Sequence, residues 1–371
     1  MKKIITCMLA ALPFLGIAQQ NYTIKVYLKN VSPQAKAYLN YMLNKEIRQD
    51  SATLVGKTFT FKGTQAEQMK AYVLLSPTGA PIKSLDGQDK VAVYLENGTV
   101  TVKGTDSLTH ATVGGTKLND EQQQLVNLLE PFKVSTKLMV ADYDNAKGNP
   151  SEQTKIKTEY LALEKKNKEA IVFFVKSHSN SLVSLNLLLT AVDPIKDMVN
   201  ARSLFASLTA ELQNSKNGLV YKDALTEAKS IELGSLAPDF TLKNTRDENI
   251  SLASYRGKYV LVDFWASWCI PCRKLNPGLV ACFETFKDKN FTILGVSLDG
   301  GKDGKKQWME AIAKDGLKWE QVSELQAWQS AVARLYKVNA IPANFLIDPT
   351  GKIIARDIDG DALTEQLKDI L

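Results

Sequence analysis

One junction constrains this chain more than any other. A β-strand run over 258–266 gives way within three residues to Cys269-Ile270-Pro271-Cys272, which opens a helical stretch over 272–287. Two residues between the cysteines let both sulfurs meet across the first helical turn. The first sulfur then lies at the helix N-terminus, where N–H groups without intrahelical partners and the macrodipole favour a thiolate. Pro271 suits the first turn, because its missing N–H has no intrahelical bond to lose. In such a pair the Cys269 thiolate attacks a disulfide, and Cys272 resolves the mixed disulfide that forms. Two other readings stand beside this one. A zinc half-site needs a second pair or nearby histidines, and the only histidines are His110 and His178, far off in sequence. A purely structural disulfide closing so small a loop removes little unfolded-state entropy.

The start of the chain bears on compartment. Met1-Lys2-Lys3 is basic, the run 4–18 is apolar except for Thr6, and Gly16-Ile17-Ala18 supplies the small residues a signal peptidase requires. A cleaved secretory signal over 1–18 is expected, and Cys7 goes with it. Cys7 follows Thr6 and comes too early for a lipoprotein. No later segment approaches eighteen consecutive apolar residues, so no membrane-spanning helix is expected. The formal charge of +6 falls to about +4 without Lys2 and Lys3, with no basic block. Neither nucleic acid nor an anionic membrane surface is an expected partner. Cys269, Cys272 and Cys282 remain, the wrong number for a disulfide-stapled scaffold.

Three regions follow along the chain. Residues 19–117 read as a β-rich domain. Tyr22-Thr23-Ile24-Lys25-Val26-Tyr27-Leu28 alternates at period two, and 57–62, 71–75, 91–95 and 99–103 are further strands. Asn97-Gly98 predicts a hairpin between the last two, and an antiparallel sheet. Residues 118–232 read as helical, with helices over 152–176 and 201–213 and breaks at 177–181 and Asp193-Pro194. In the first helix, Ile156, Tyr160, Leu163 and Ile171 recur at helical spacing. Residues 233–371 alternate strands and helices: strand 258–266, helix 272–287, strand 291–298, helices 303–315 and 326–336, a hairpin of 344–348 with 352–356, and a closing helix from Ala362. The predicted class is multidomain α+β: an N-terminal antiparallel β domain, a central helical region, and a C-terminal α/β domain with a mixed central sheet.

The stretch Val260-Leu261-Val262-Asp263-Phe264-Trp265-Ala266-Ser267-Trp268-Cys269-Ile270-Pro271-Cys272 resembles the active-site segment of thioredoxins. The lead-in Leu233-Gly234-Ser235-Leu236-Ala237-Pro238-Asp239-Phe240-Thr241-Leu242 resembles the bacterial-envelope branch of that superfamily, the TlpA/ResA type. The resemblance covers about residues 233–371 and implies a thioredoxin fold. It implies a periplasmic or membrane-facing thiol–disulfide oxidoreductase whose redox group is the Cys269–Cys272 disulfide, with no other cofactor and no metal. Asp263 matches the buried acid beneath the second cysteine, which takes the proton of Cys272. Pro277 matches the proline that kinks the active-site helix, and Trp265 and Trp268 match the flanking tryptophans. Ile341-Pro342 resembles the cis-proline pair that faces the cysteines and offers backbone to an extended substrate. Trp268, Ile270, Pro271, Ile341 and Pro342 are thus the expected substrate contacts.

The sequence departs from the family pattern in two places. Ala340-Ile341-Pro342-Ala343-Asn344 stands where Gly-Val-Pro-Thr-Thr is commoner, and Leu275 stands where some cytochrome-maturation reductases carry a Glu. A cytochrome c substrate is therefore not carried over. Cys282, spaced with Leu279 and Phe286 along the helix, reads as an inert buried thiol. Residues 20 to about 116 resemble an uncharacterised β domain often found ahead of such modules, on Asn97-Gly98-Thr99-Val100-Thr101-Val102 and Ala111-Thr112-Val113-Gly114-Gly115.

The expected function is a periplasmic reductase of protein disulfides, supplied with electrons by a membrane partner. Direction depends on potential, and the Ile-Pro insert lacks a histidine that would favour an oxidase. A disulfide oxidase or isomerase is the alternative within the class. An envelope binding protein with a vestigial thioredoxin domain is the alternative outside it. A peroxidase, suggested by Ala237-Pro238-Asp239-Phe240, conflicts with a CxxC where a lone peroxidatic cysteine belongs.

Overall fold

The computed structural model of the chain describes residues 20–82 and 88–371. The expected secretory signal at 1–18, with Cys7, lies outside the described residues. The described chain divides into two compact units. One runs to Leu187 and takes in Ser207–Leu212, and the other comprises Leu188–Ala206 and Gln213–Leu371.

The first unit begins with strands β1 (Gln20–Leu28), β2 (Lys36–Leu43), β3 (Glu46–Thr53), β4 (Thr58–Gln65), β5 (Met69–Ser76), β6 (Lys90–Leu95), β7 (Gly98–Gly104) and β8 (Thr112–Gly114). They form two four-stranded sheets, ordered β4-β1-β7-β8 and β3-β2-β5-β6. Alternation decides which side chains face inward. Ile24, Val26 and Leu28 of β1 join Phe59, Phe61, Val100 and Val102 of their own sheet in one core, against Ala37, Leu39, Val73 and Val93 of the other. Strands β2 and β3 carry no clean alternation. In β3 only Ala52 is buried, so the strand is held by its ladder to β2 rather than by burial.

The predicted hairpin at Asn97-Gly98 is corrected. Strand β6 pairs with β5, whereas β7 pairs with β1, so the turn carries the chain from one sheet to the other. The Asn97 side chain accepts a hydrogen bond from Asn21 N at 2.8 Å, which ties the turn to β1. The β1–β7 pairing is parallel, an exception in a unit whose other ladders are antiparallel among the described residues.

Helices α1 (Lys117–Asn145), α2 (Pro150–Ser177), α3 (Leu182–Ala191), α4 (Met198–Ser207), α5 (Ala210–Gln213) and α6 (Lys216–Lys229) follow. The start of α1 is fastened to β6. Asn119 Oδ1 accepts from Tyr94 N at 2.9 Å, and Glu96 Oε1 accepts from Leu118 N at 2.8 Å. The second bond satisfies a helix-terminal N–H that would otherwise be orphaned, and the first satisfies a backbone N–H of β6. The single helix predicted over 201–213 is two, α4 and α5. Thr209 N donates to Ser179 O instead of continuing the helix.

The second unit holds β9 (Thr241–Asn244), β10 (Asn249–Ser251), β11 (Tyr259–Trp265), α7 (Ile270–Phe286), β12 (Phe291–Ser297), α8 (Gly304–Asp315), β13 (Glu320–Ser323), α9 (Ala331–Leu335), β14 (Ala343–Ile347), β15 (Ile353–Arg356) and α10 (Gly360–Ile370). Its seven-stranded sheet has the order β10-β9-β13-β12-β11-β14-β15. Strands β11, β12 and β13 are parallel, and β14 runs antiparallel to β11. The sheet is mixed, as expected. Central β11 is buried from Val260 to Trp265, which is why, apart from Asp263, it reads as an apolar run rather than an alternating one. The helix predicted over 326–336 is a 3₁₀ turn at Ala327–Gln329 followed by α9. Ser330 separates them, leaving helical geometry to cap Ala333 N at 3.0 Å.

The architecture is the multidomain α+β class expected, with a thioredoxin-like sheet at the C-terminal end. Among the described residues, no helix is long and apolar enough to cross a membrane.

Candidate active site

The CxxC stretch sits where β11 ends and α7 begins. Cys269 is the N-cap of α7 in extended conformation, and Pro271 falls in the first turn. The two cysteines form a disulfide with Cα atoms 5.3 Å apart. The Cys269 Sγ accepts a hydrogen bond from Cys272 N at 3.2 Å, so a free N–H of the helix terminus points at the first sulfur. Both cysteines are nearly enclosed, while Trp268 and Ile270 beside them are 49% and 69% exposed. Pro277 lies inside α7, where it removes one backbone bond.

Asp263 is buried on β11 and shares a small cavity of ≈ 10 Å³ with Cys272, Asn276, Leu279, Pro342 and Asn344. That volume accommodates about one water. Burial away from solvent pushes the Asp263 carboxyl up from 3.8 to about 7. The Ile341–Pro342 bond is cis, Pro342 is exposed and Ile341 is half-buried. The fold thus brings together Asp263 of β11, Cys269 and Cys272 at the start of α7, and Pro342 just ahead of β14. Trp265 does not reach this surface. It is buried, and its Nε1 donates to Gln321 Oε1 at 3.0 Å. Cys282 is buried on α7 as expected, and burial pushes its thiol up.

Three features of the site escaped sequence reasoning. Asp299, just beyond β12 and fully buried, accepts hydrogen bonds from Ser267 N at 2.9 Å, from the Ser267 hydroxyl, and from Ser297 Oγ at 2.7 Å. It fixes Ser267, two residues ahead of Cys269. The one available signal was an acid following a buried strand and preceding Gly300-Gly301. Arg273 donates to Ser267 O at 3.0 Å while pairing with Asp315 of α8, which also accepts from Asn276 Nδ2 at 2.7 Å. Trp328, in the 3₁₀ turn, lies against Trp268 with ring centroids 6.2 Å apart, and it is 47% exposed. No local pattern marks that pairing.

Comparison with known proteins finds relatives of this chain. The AhpC/TSA family model matches residues 233–356, and a domain of unknown function, DUF4369, matches 22–122. A thiol-disulfide oxidoreductase ResA of Geobacillus thermodenitrificans (strain NG80-2) is 31% identical over 149 residues, 40% of this chain and 82% of that protein. The ResA of Bacillus subtilis (strain 168) is 30% identical over 135 residues, 36% of this chain and 72% of that one. Among solved structures, a thiol-disulfide oxidoreductase from Bacteroides fragilis NCTC 9343 is 41% identical. It covers 37% of this chain and 100% of its own, with a TM-score of 0.35.

Proposed function

The chain belongs to the ResA-type thiol-disulfide oxidoreductases, and from that premise we propose that it reduces protein disulfides outside the cytoplasm. Cys269 is the attacking sulfur, Cys272 the resolving one and Asp263 the proton acceptor. In the reduced protein, the Cys269 thiolate attacks one sulfur of a substrate disulfide. That bond breaks, and the displaced substrate sulfur leaves as a thiolate that takes a proton from water. Cys272 then gives its proton to Asp263 and attacks the Cys269 sulfur. The second substrate sulfur leaves as a thiolate that takes a proton from water, and the Cys269–Cys272 disulfide remains. Two electrons have passed to the substrate, and an external dithiol, the expected membrane donor, returns them.

One observation carries the reading. The sulfur of Cys269 sits on a helix terminus that favours its anion, while Cys272 shares a small cavity with a carboxyl whose pKa burial raises to about 7. Exposed Trp268 and Ile270, with Pro271 behind them, offer an apolar approach to the sulfur. Ile341 and Pro342 supply backbone against which an extended substrate strand lies. The extracytoplasmic location is supported by the basic and apolar start of the chain, and the reducing direction by the absence of a histidine between the cysteines.

The test is trapping. Cys272→Ala should hold its substrates on Cys269 as mixed disulfides, released by dithiothreitol and identified by mass spectrometry. Recovering nothing above a Cys269→Ala/Cys272→Ala background would end the reading. Wild-type reactivity in both directions, with a reduced and with an oxidised unfolded protein, separates reductase from oxidase or isomerase.

A further inference from the structure

The sheet face that carries Asp263 also holds an amide that the exchange reaction above does not use. Asp263 on β11 is in register with Gly295 on β12, and Gly295 with Gln321 on β13. Residues in register on neighbouring strands present their side chains to the same face. Gly295 has none, and the Gln321 amide occupies its place. A Cβ added to Gly295 would lie 2.2 Å from Gln321 Oε1 and 2.7 Å from Nε2. Gln321 therefore leans over the glycine, toward Asp263, rather than standing above its own strand.

Chemistry fixes which way the amide faces. The indole N–H of Trp265 can only donate, and it bonds Gln321 Oε1 at 3.0 Å. The acceptor end is thereby committed, and Nε2 must point elsewhere. Gln321 is 3% exposed, and its Nε2 has no hydrogen-bond partner. Asp263 is buried too, and among the described residues no donor reaches its carboxyl. A buried donor without an acceptor thus stands one glycine away from a buried residue whose carboxyl receives no hydrogen bond. Each is costly alone, and the cost falls when they meet, directly or through one water.

We infer that Gln321 is a positioning residue for disulfide exchange, its Nε2 being the donor that the Asp263 carboxylate gains on ionising. The amide keeps Asp263 available as a base, so that it can take the proton of Cys272 when the mixed disulfide is resolved. Gly295 belongs to the same device, because any side chain there would push the amide away.

This assignment rests on the proposed role of Asp263, and its test reads the carboxyl itself rather than turnover. The Asp263 carboxyl is titrated by ¹³C NMR in the oxidised full-length protein, with Asp263→Asn identifying the signal. In Gln321→Met the midpoint should rise by about one pH unit, roughly a tenfold fall in the ratio of ionised to protonated Asp263 at any given pH. Trp265→Phe removes the bond that orients the amide but keeps Nε2, so its midpoint should rise clearly less than that of Gln321→Met. Should Gln321→Met fail to fold, Gln321→Asn, whose shorter amide cannot cross the glycine, carries the same expectation. An unmoved midpoint in the Gln321 variant overturns the assignment. So do equal shifts in the Gln321 and Trp265 variants, which would mean that the amide serves only to hold the indole. Failure of the underlying reading looks different: Asp263→Asn would then resolve mixed disulfides as fast as the wild type.

Discussion

A single carboxyl, Asp263, ties chemistry to stability. Its folded pKa near 7 lies above the ordinary value of 3.8, so between those limits the native state holds a proton that the unfolded chain has released. Stability must therefore fall as pH rises from about 4 to 7 and stay low above it. Replacing the carboxyl by a neutral amide removes that penalty. Asp263→Asn should unfold at higher temperature than the wild type at pH 8, by up to about 4 kcal/mol of stability. The gain should vanish toward pH 4, and a stability difference independent of pH would refute the burial argument. The same variant should resolve mixed disulfides more slowly, since it cannot accept the Cys272 proton. The residues of this chemistry were legible early: the cysteine pair by its spacing, and Asp263 by its place six positions ahead of Cys269. Asp299, Gln321 and Trp328 were not, because each acts on a residue tens of positions away. Nothing in the neighbourhood of Gln321 distinguishes it from a surface glutamine.

At the level of elements, the site is the N-terminus of one helix held against the ends of two strands. Asp299 makes the connection from β12 to the loop before α7. Asp299→Ala would leave Ser267 N and two hydroxyls without their acceptor inside the protein. A loss of roughly 2–4 kcal/mol is expected, read as a lower denaturant midpoint, with faster proteolysis near Ser267. The other support lies beneath the helix, where α7 meets α10 at two glycines. A Cβ on Gly360 would stand 2.7 Å from the backbone carbon of Gly278. That neighbour is main chain and cannot turn aside. Gly360→Ala should accordingly cost about 1–3 kcal/mol, measured by urea unfolding, and an unchanged midpoint would show that the helices separate freely. Element identity was mostly readable from period, as for β1, β11 and α2. Partnership was not. The turn at Asn97-Gly98 has the chemistry of a hairpin, yet the bond from Asn21 N to Asn97 draws it toward another strand.

Across the whole molecule, each compact unit has its own apolar core, and the redox pair belongs to the second. All five tryptophans fall between Trp265 and Trp328, in that same unit. Intrinsic tryptophan emission therefore reports on the unit that carries the disulfide. Reduction of Cys269–Cys272 should change the emission through the adjoining Trp268, and Trp268→Phe should remove most of the change. Emission that ignores the redox state would mean that this indole does not sense the pair. What the sequence by itself determined was local in origin. A cysteine pair at a strand-to-helix junction, a proline in a first turn and alternating apolar residues act through neighbours within a few positions, and their chemistry survives any surroundings. Tertiary structure alone decided that β6 and β7 join different sheets, that Asp299 braces the loop, and that Gln321 lies across Gly295. Such placements arise from register and packing summed over many residues distant in sequence, and no short window of the chain contains the free-energy balance that selects them.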